Sequence, residues 1–116
     1  RGSWAETGVP RRAWELNALP VSVNEANHAG ELPPSVSYLT AEPDNILLSV
    51  CKLAEDSDDL IVRGYETYGR PARATLRIGE AGMTWKADFG AHEIKTWRIS
   101  RSGVTEEVNL LERNRL

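Results

Sequence analysis

The side chains able to do chemistry in this 116-residue chain are few and mostly scattered. The densest group is Glu55-Asp56-Ser57-Asp58-Asp59, with four carboxylates in five positions. Paired carboxylates are what general acid–base and glycoside-cleaving chemistry need. Yet neighbouring residues of a strand point to opposite faces, and short polar residues between two apolar runs favour a turn, so a solvated turn is expected here. His28 and His92 stand far apart and belong to no metal-ligand spacing, and the chain has one cysteine, so a zinc site is not expected. Cys51 follows Leu47-Leu48-Ser49-Val50, which predicts a small buried hydrophobe with no activating neighbour.

Two further groups could contact a ligand or a neighbouring domain. Four tryptophans offer indole faces that could stack on sugar rings. Trp4 and Trp14 belong to a short helical segment and are expected to fasten it. Trp85 and Trp97 fall in predicted strands, where alternate side chains face a core, so core or domain-interface packing is expected before sugar stacking. Arg63 and Glu66 interrupt an otherwise apolar run, Leu60-Ile61-Val62-Arg63-Gly64-Tyr65-Glu66. Strand geometry puts them on opposite faces, so each is expected to meet a charge elsewhere in the fold or across a domain junction. Arg63, Glu66, Trp85 and Trp97 are thus the candidate carbohydrate or domain-interface contacts, and no catalytic, cofactor or metal residue is assigned.

The elements that must position these residues fall into two regions. Residues 1–34 form a helical arm and connector. Ser3-Trp4-Ala5-Glu6 matches a capping box, in which hydroxyl and carboxylate satisfy backbone donors reciprocally. Ala5, Val9, Ala13 and Leu16 follow at helical spacing, and Pro10 starts a second short segment that ends near Asn17. Residues 24–34 carry Asn24, Asn27, Gly30, Pro33 and Pro34 and read as loop.

From residue 35 to residue 116 the pattern is of short strands: 35–41, 45–53, 59–67, 71–78, 83–88, 92–99 and 104–111. Ala72, Ala74, Leu76 and Ile78 alternate with Arg73, Thr75 and Arg77 at a period of two. Turn signals sit between strands at Pro43-Asp44-Asn45, Gly69-Arg70-Pro71, Glu80-Ala81-Gly82 and Ser102-Gly103. The expected fold is all-β, an antiparallel β-sandwich of immunoglobulin-like architecture with seven to eight strands and a short N-terminal helical arm.

Bulk properties fit that fold. Apolar residues make up 41% and charged residues 27% of the chain, and the net charge of −3 arises from 14 basic and 17 acidic side chains. No basic stripe suggests a nucleic-acid partner. No run approaches the roughly 18 apolar residues of a membrane span. A lone cysteine and no signal-like opening give a cytoplasmic expectation.

The order of several segments resembles glycoside hydrolase family 38 α-mannosidases in their C-terminal region. These are Leu32-Pro33-Pro34-Ser35-Val36-Ser37-Tyr38-Leu39, Leu53-Ala54-Glu55-Asp56, the Leu60–Glu66 run, Gly69-Arg70-Pro71-Ala72 with Ala74-Thr75-Leu76-Arg77, Glu93-Ile94-Lys95-Thr96-Trp97-Arg98 and Val108-Asn109-Leu110-Leu111-Glu112. Gly2-Ser3-Trp4 and Glu15-Leu16-Asn17-Ala18 resemble the segment just before that sandwich. The resemblance implies a non-catalytic C-terminal β-sandwich that packs on the catalytic and preceding β domains of one parent enzyme. It implies a parent that is a retaining α-mannosidase with zinc and a nucleophilic aspartate in another domain. The zinc ligands and nucleophile of the family have no matching positions here, so no cofactor is expected in this chain. Rival expectations are a carbohydrate-binding module for α-mannoside glycans, which needs Trp85 or Trp97 exposed on a face, and a protein–protein interaction β-sandwich. A domain removed from its neighbours would also self-associate weakly through the apolar stripe of the arm.

Overall fold

The computed structural model describes residues 2–5, 7–79 and 82–113. Glu6 of the expected capping box and Glu80 and Ala81 of one expected turn lie outside them. The chain divides into two compact units, Arg1–Ser37 and Tyr38–Leu116.

The first unit contains one helix, α1 (Val9–Asn17), with Pro10 in its first turn, where a missing N–H costs nothing. Asn17 closes it by donating from Nδ2 to the carbonyl of Ala13 (2.7 Å). No residue of α1 is buried.

Among its described residues the second unit holds seven strands, β1 (Leu39–Glu42), β2 (Ile46–Leu53), β3 (Leu60–Glu66), β4 (Ala72–Ile78), β5 (Met83–Phe89), β6 (Ile94–Ile99) and β7 (Thr105–Val108). They form two antiparallel sheets, one in the order β1-β4-β5 and the other β2-β3-β6-β7. The fold is therefore mostly β and consistent with the expected sandwich. The core lies between the sheets. Ile46, Val62, Trp97 and Ile99 of the four-stranded sheet meet Ala74, Leu76, Ala87 and Phe89 of the three-stranded one.

Most strand ends fall within two residues of expectation; two differ by three or more, each for a local reason. The first strand starts at Leu39 rather than at residue 35, because its partner turns away. Leu39 pairs with Ile78, the last residue of β4, and the next residue, Gly79, sits at φ 67° and donates to the Tyr38 carbonyl (2.8 Å). The last strand ends at Val108 rather than at residue 111. There the Asn109 side-chain oxygen accepts from the N–H groups of Leu111 (2.9 Å) and Arg113 (3.1 Å), which folds the chain into a turn.

Cys51 corrects a sequence expectation, because its side chain is exposed rather than buried. It pairs with Val62 and so shares the inward face of that residue. But β2 is an edge strand whose register slips between Leu48 and Val50, and it runs eight residues where β1, an edge strand of the opposing sheet, runs four. The end of β2 beyond that slip lies uncovered: Ile46 at its start is 5% exposed, whereas Leu53, two residues on from Cys51, is 61% exposed. We expect a water-soluble aromatic disulfide to titrate one thiol per native chain within minutes. Reaction only after denaturant is added would contradict this placement.

Candidate functional site

Each sheet has an outer face, and the two differ in chemistry. The register places Thr40, Glu42, Arg73, Thr75, Arg77, Thr84, Lys86 and Asp88 on the outside of the three-stranded sheet. Every one is polar, which is what a face turned to water requires. The outside of the four-stranded sheet carries Leu47, Val50, Ile61, Tyr65, Ile94 and Val108 together with Lys52, Arg63, Thr96, Arg98 and Glu106. Ile61 is fully buried there, and Thr96 and Val108 nearly so.

The turn after β7 helps to cover that face. Arg63 Nε donates to Thr96 Oγ1 (2.9 Å), while its Nη2 donates to the Leu110 carbonyl (3.1 Å). Arg98 Nη1 reaches the Glu112 carbonyl (3.4 Å). Lys52 Nζ pairs with the Glu112 carboxylate at 2.7 Å and also with Glu55. The second oxygen of Glu112 accepts from the Glu55 N–H (3.1 Å). One end of the face stays open: Ile94 is 49% and Leu110 58% exposed.

The acidic run forms the β2–β3 turn, as its composition implied, and its charges are spoken for. Arg98 donates to Asp56 Oδ1 (2.6 Å), Asp59 Oδ2 (2.7 Å) and Ser57 Oγ (2.8 Å), and Arg101 reaches Asp58 (2.7 Å). Hydrogen bonds from Arg98 hold the Asp56 and Asp59 carboxyls below the usual carboxylate range. The hydrogen bond from Lys52 does the same to Glu112. A glycosidase acid needs the opposite, a carboxyl raised so that it still holds its proton near neutrality. The arrangement fastens a turn.

Glu66 is 1% exposed and sits where β3 ends. Its Oε1 accepts from Asn45 Nδ2 (2.8 Å) and the Tyr68 N–H (2.7 Å). Its Oε2 accepts from the N–H groups of Gly69 (2.8 Å), Arg70 (3.1 Å) and His92 (3.0 Å). Five donors thus converge on one carboxylate. Burial alone would raise its pKa, but the bonds from His92, Asn45, Tyr68 and Gly69 outweigh that and bring it down to about 2. The expectation that Glu66 meets a charge is corrected: its partners are four backbone amides and a neutral side chain.

The four candidate contacts do not converge. Arg63 lies on the outer face just described and Glu66 inside its ring of donors. Trp97 is 3% exposed in the core, with its ring edge-on to Trp85 (centroids 5.7 Å apart) and to Phe89 (5.8 Å). Trp85 is half-buried, and its indole Nε1 is buried without a hydrogen-bond partner among the described residues. Neither ring lies flat and open as a sugar platform must.

Sequence reasoning missed Asn45, Arg98 and Glu112. Asn45 stands in a Pro-Asp-Asn turn signal that says nothing of its 2% exposure, and Arg98 reads like any charged strand residue. His92 and Cys51 stand in the sandwich unit and His28 in the arm, and no three His, Cys, Asp or Glu side chains gather as a metal site among the described residues. Among the described residues, no set of side chains fits a zinc ion.

Comparison with known proteins agrees with the architecture. No curated protein and no solved structure matches the chain. Residues 45–115, more than half of the 116, match the family model described as the glycosyl hydrolases family 38 C-terminal beta sandwich domain. That match over most of its length, on a fold of two antiparallel sheets, shows that the chain belongs to that family and is a non-catalytic domain of a family 38 glycoside hydrolase.

Proposed function

We propose that this domain packs on, and stabilises, the catalytic part of an α-mannosidase through the outer face of its four-stranded sheet. The contrast between the two outer faces supports this reading. An all-polar face needs no partner, whereas Ile94 and Leu110 expose apolar surface at the open end of the other, beside the half-buried Tyr65. The parent takes its zinc and its nucleophile from elsewhere in its chain. A reducing, cytoplasmic setting suits a single free thiol, and no helix among the described residues is long and apolar enough to cross a membrane. Weak self-association of the isolated chain belongs to the same reading, because Val9, Trp14 and Leu16 of α1 are exposed.

The test is deletion of these residues from the parent enzyme. We expect the shortened enzyme to unfold at a lower temperature while each folded molecule keeps its turnover of an aryl α-mannoside within a few-fold. The isolated chain should cleave no α-mannoside and bind mannose more weakly than about 1 mM, or −4 kcal/mol. Cleavage by the isolated chain, or an unchanged melting temperature after deletion, would overturn the proposal.

A further inference from the structure

The stretch after α1 has the side-chain pattern of a strand without a sheet. Leu19, Val21 and Val23 alternate with Pro20, Ser22 and Asn24, and an apolar–polar period of two is the signature of a half-buried strand. The backbone from Leu19 to Gly30 runs without helix, turn or bend, yet it belongs to neither sheet. The three apolar side chains are 80%, 91% and 79% exposed. Isolated exposed leucines and valines are ordinary, but three in register on one side of an extended segment are not.

Pro20 sharpens this. In a strand, residues i and i+2 direct their N–H and C=O groups to one neighbour and the residues between them to the other. Proline has no N–H, so the side carrying residues 20, 22 and 24 cannot form a complete ladder. The side carrying residues 19, 21 and 23 can. Such a strand pairs on one side only, which makes it an edge strand. These residues also lie outside the matched span of 45–115, on the N-terminal side of a domain described as C-terminal.

We infer that Leu19–Asn24 is an edge strand whose sheet lies in the part of the parent enzyme preceding this domain, so that the arm fastens the two by strand addition. This rests on the docking reading above and specifies a second attachment for it.

Hydrogen exchange resolved by residue, on the isolated chain and on the full-length enzyme, tests it. In the full-length enzyme the amides of Leu19, Val21 and Val23 should exchange at least about tenfold more slowly than in the isolated chain, while those of Ser22 and Asn24 should not. Val21→Pro removes a donor on the pairing side and should abolish the protection of Leu19 and Val23. Ser22→Pro removes one on the open side and should keep it.

Slowed exchange on the outer face of the four-stranded sheet, with none over residues 19–24, would overturn the strand and leave the docking reading standing. No slowing in either place would overturn both. Alternate protection already present in the isolated chain would assign the partner to this chain's own sheets, and protection there that grows with concentration would assign it to a second copy. Both results overturn the inference as stated.

Discussion

Replacing Glu66 by glutamine should cost about 3–5 kcal/mol and flatten the acid limb of the stability curve. The carboxylate accepts five hydrogen bonds from a site that leaves it 1% exposed. Glutamine preserves the shape but replaces one acceptor oxygen with an amide NH2, a donor that then faces N–H groups it cannot satisfy. A bond to a charged group contributes about 1.5–3 kcal/mol, and each buried donor left unpaired costs a further 1–3. A sandwich of this size holds only roughly 4–12 kcal/mol in all. The variant should therefore be marginal at room temperature.

The pH dependence follows from the same contacts. A carboxyl with a pKa of about 2 when folded and 4.5 when unfolded stabilises the fold fully above 4.5, and that stabilisation is lost as pH falls from 4.5 towards 2. The shift corresponds to about 3 kcal/mol. Urea unfolding of the wild type at pH 6 and pH 3 should show most of that difference, and the glutamine variant should show little of it. What persists in the variant comes from Asp56, Asp59 and Glu112, whose pKa values are also lowered but by half-buried partners that water still reaches. A variant within about 1 kcal/mol of wild type, with an unchanged acid limb, would show that the donors matter little.

That carboxylate also marks where the sequence stops being informative. The alternation of Ala72, Ala74, Leu76 and Ile78 with Arg73, Thr75 and Arg77 foretells β4 and its two faces, since a period of two is a local property. The turn composition around Asp56-Ser57-Asp58-Asp59 is local as well. The partners of Glu66 are not. Asn45 is 21 residues away and the His92 amide 26, and four of the five donors are backbone groups, which every residue possesses. No residue type announces them. Gly69 is the nearest thing to a signal: it sits at φ 73°, and a Cβ there would lie 2.6 Å from His92 Nε2. Cys51 teaches the converse. Its apolar neighbours predict burial, but whether the far end of a strand is covered depends on how far the facing strands run. That reach is a property of the assembled fold.

The difference between the two outer faces was half legible. The polar face could be read from Arg73, Thr75 and Arg77 alone. The apolar one could not, because Ile61, Thr96 and Val108 come from three strands whose order requires the pairing. The turn that covers part of it comes from residues 109–113, of which 109–111 read as strand by composition. Asn109 redirects them with one side-chain oxygen.

Removing the Trp97 ring should be the largest single loss from the core, and it separates packing from sugar recognition. The indole lies 3% exposed between the sheets, meets Trp85 at 65° and Phe89 at 68°, and passes over Gly64, where a Cβ would stand 3.7 Å from Cζ3. Truncation of a buried tryptophan to alanine costs about 3–5 kcal/mol through lost burial and the cavity left behind. Each edge-to-face pair adds roughly 0.5–1.5 kcal/mol. Trp97→Phe keeps an aromatic edge against both neighbours and should lose about half as much. Denaturant midpoints for the two variants give the order directly, and titration of the phenylalanine variant with oligomannose gives the functional readout. If Trp97 packs the core, stability falls in the order wild type, phenylalanine, alanine, and the weak affinity for sugar does not change. A variant that keeps the wild-type midpoint but loses a measurable oligomannose affinity would place the ring against a glycan, and the docking assignment would then give way to a binding module.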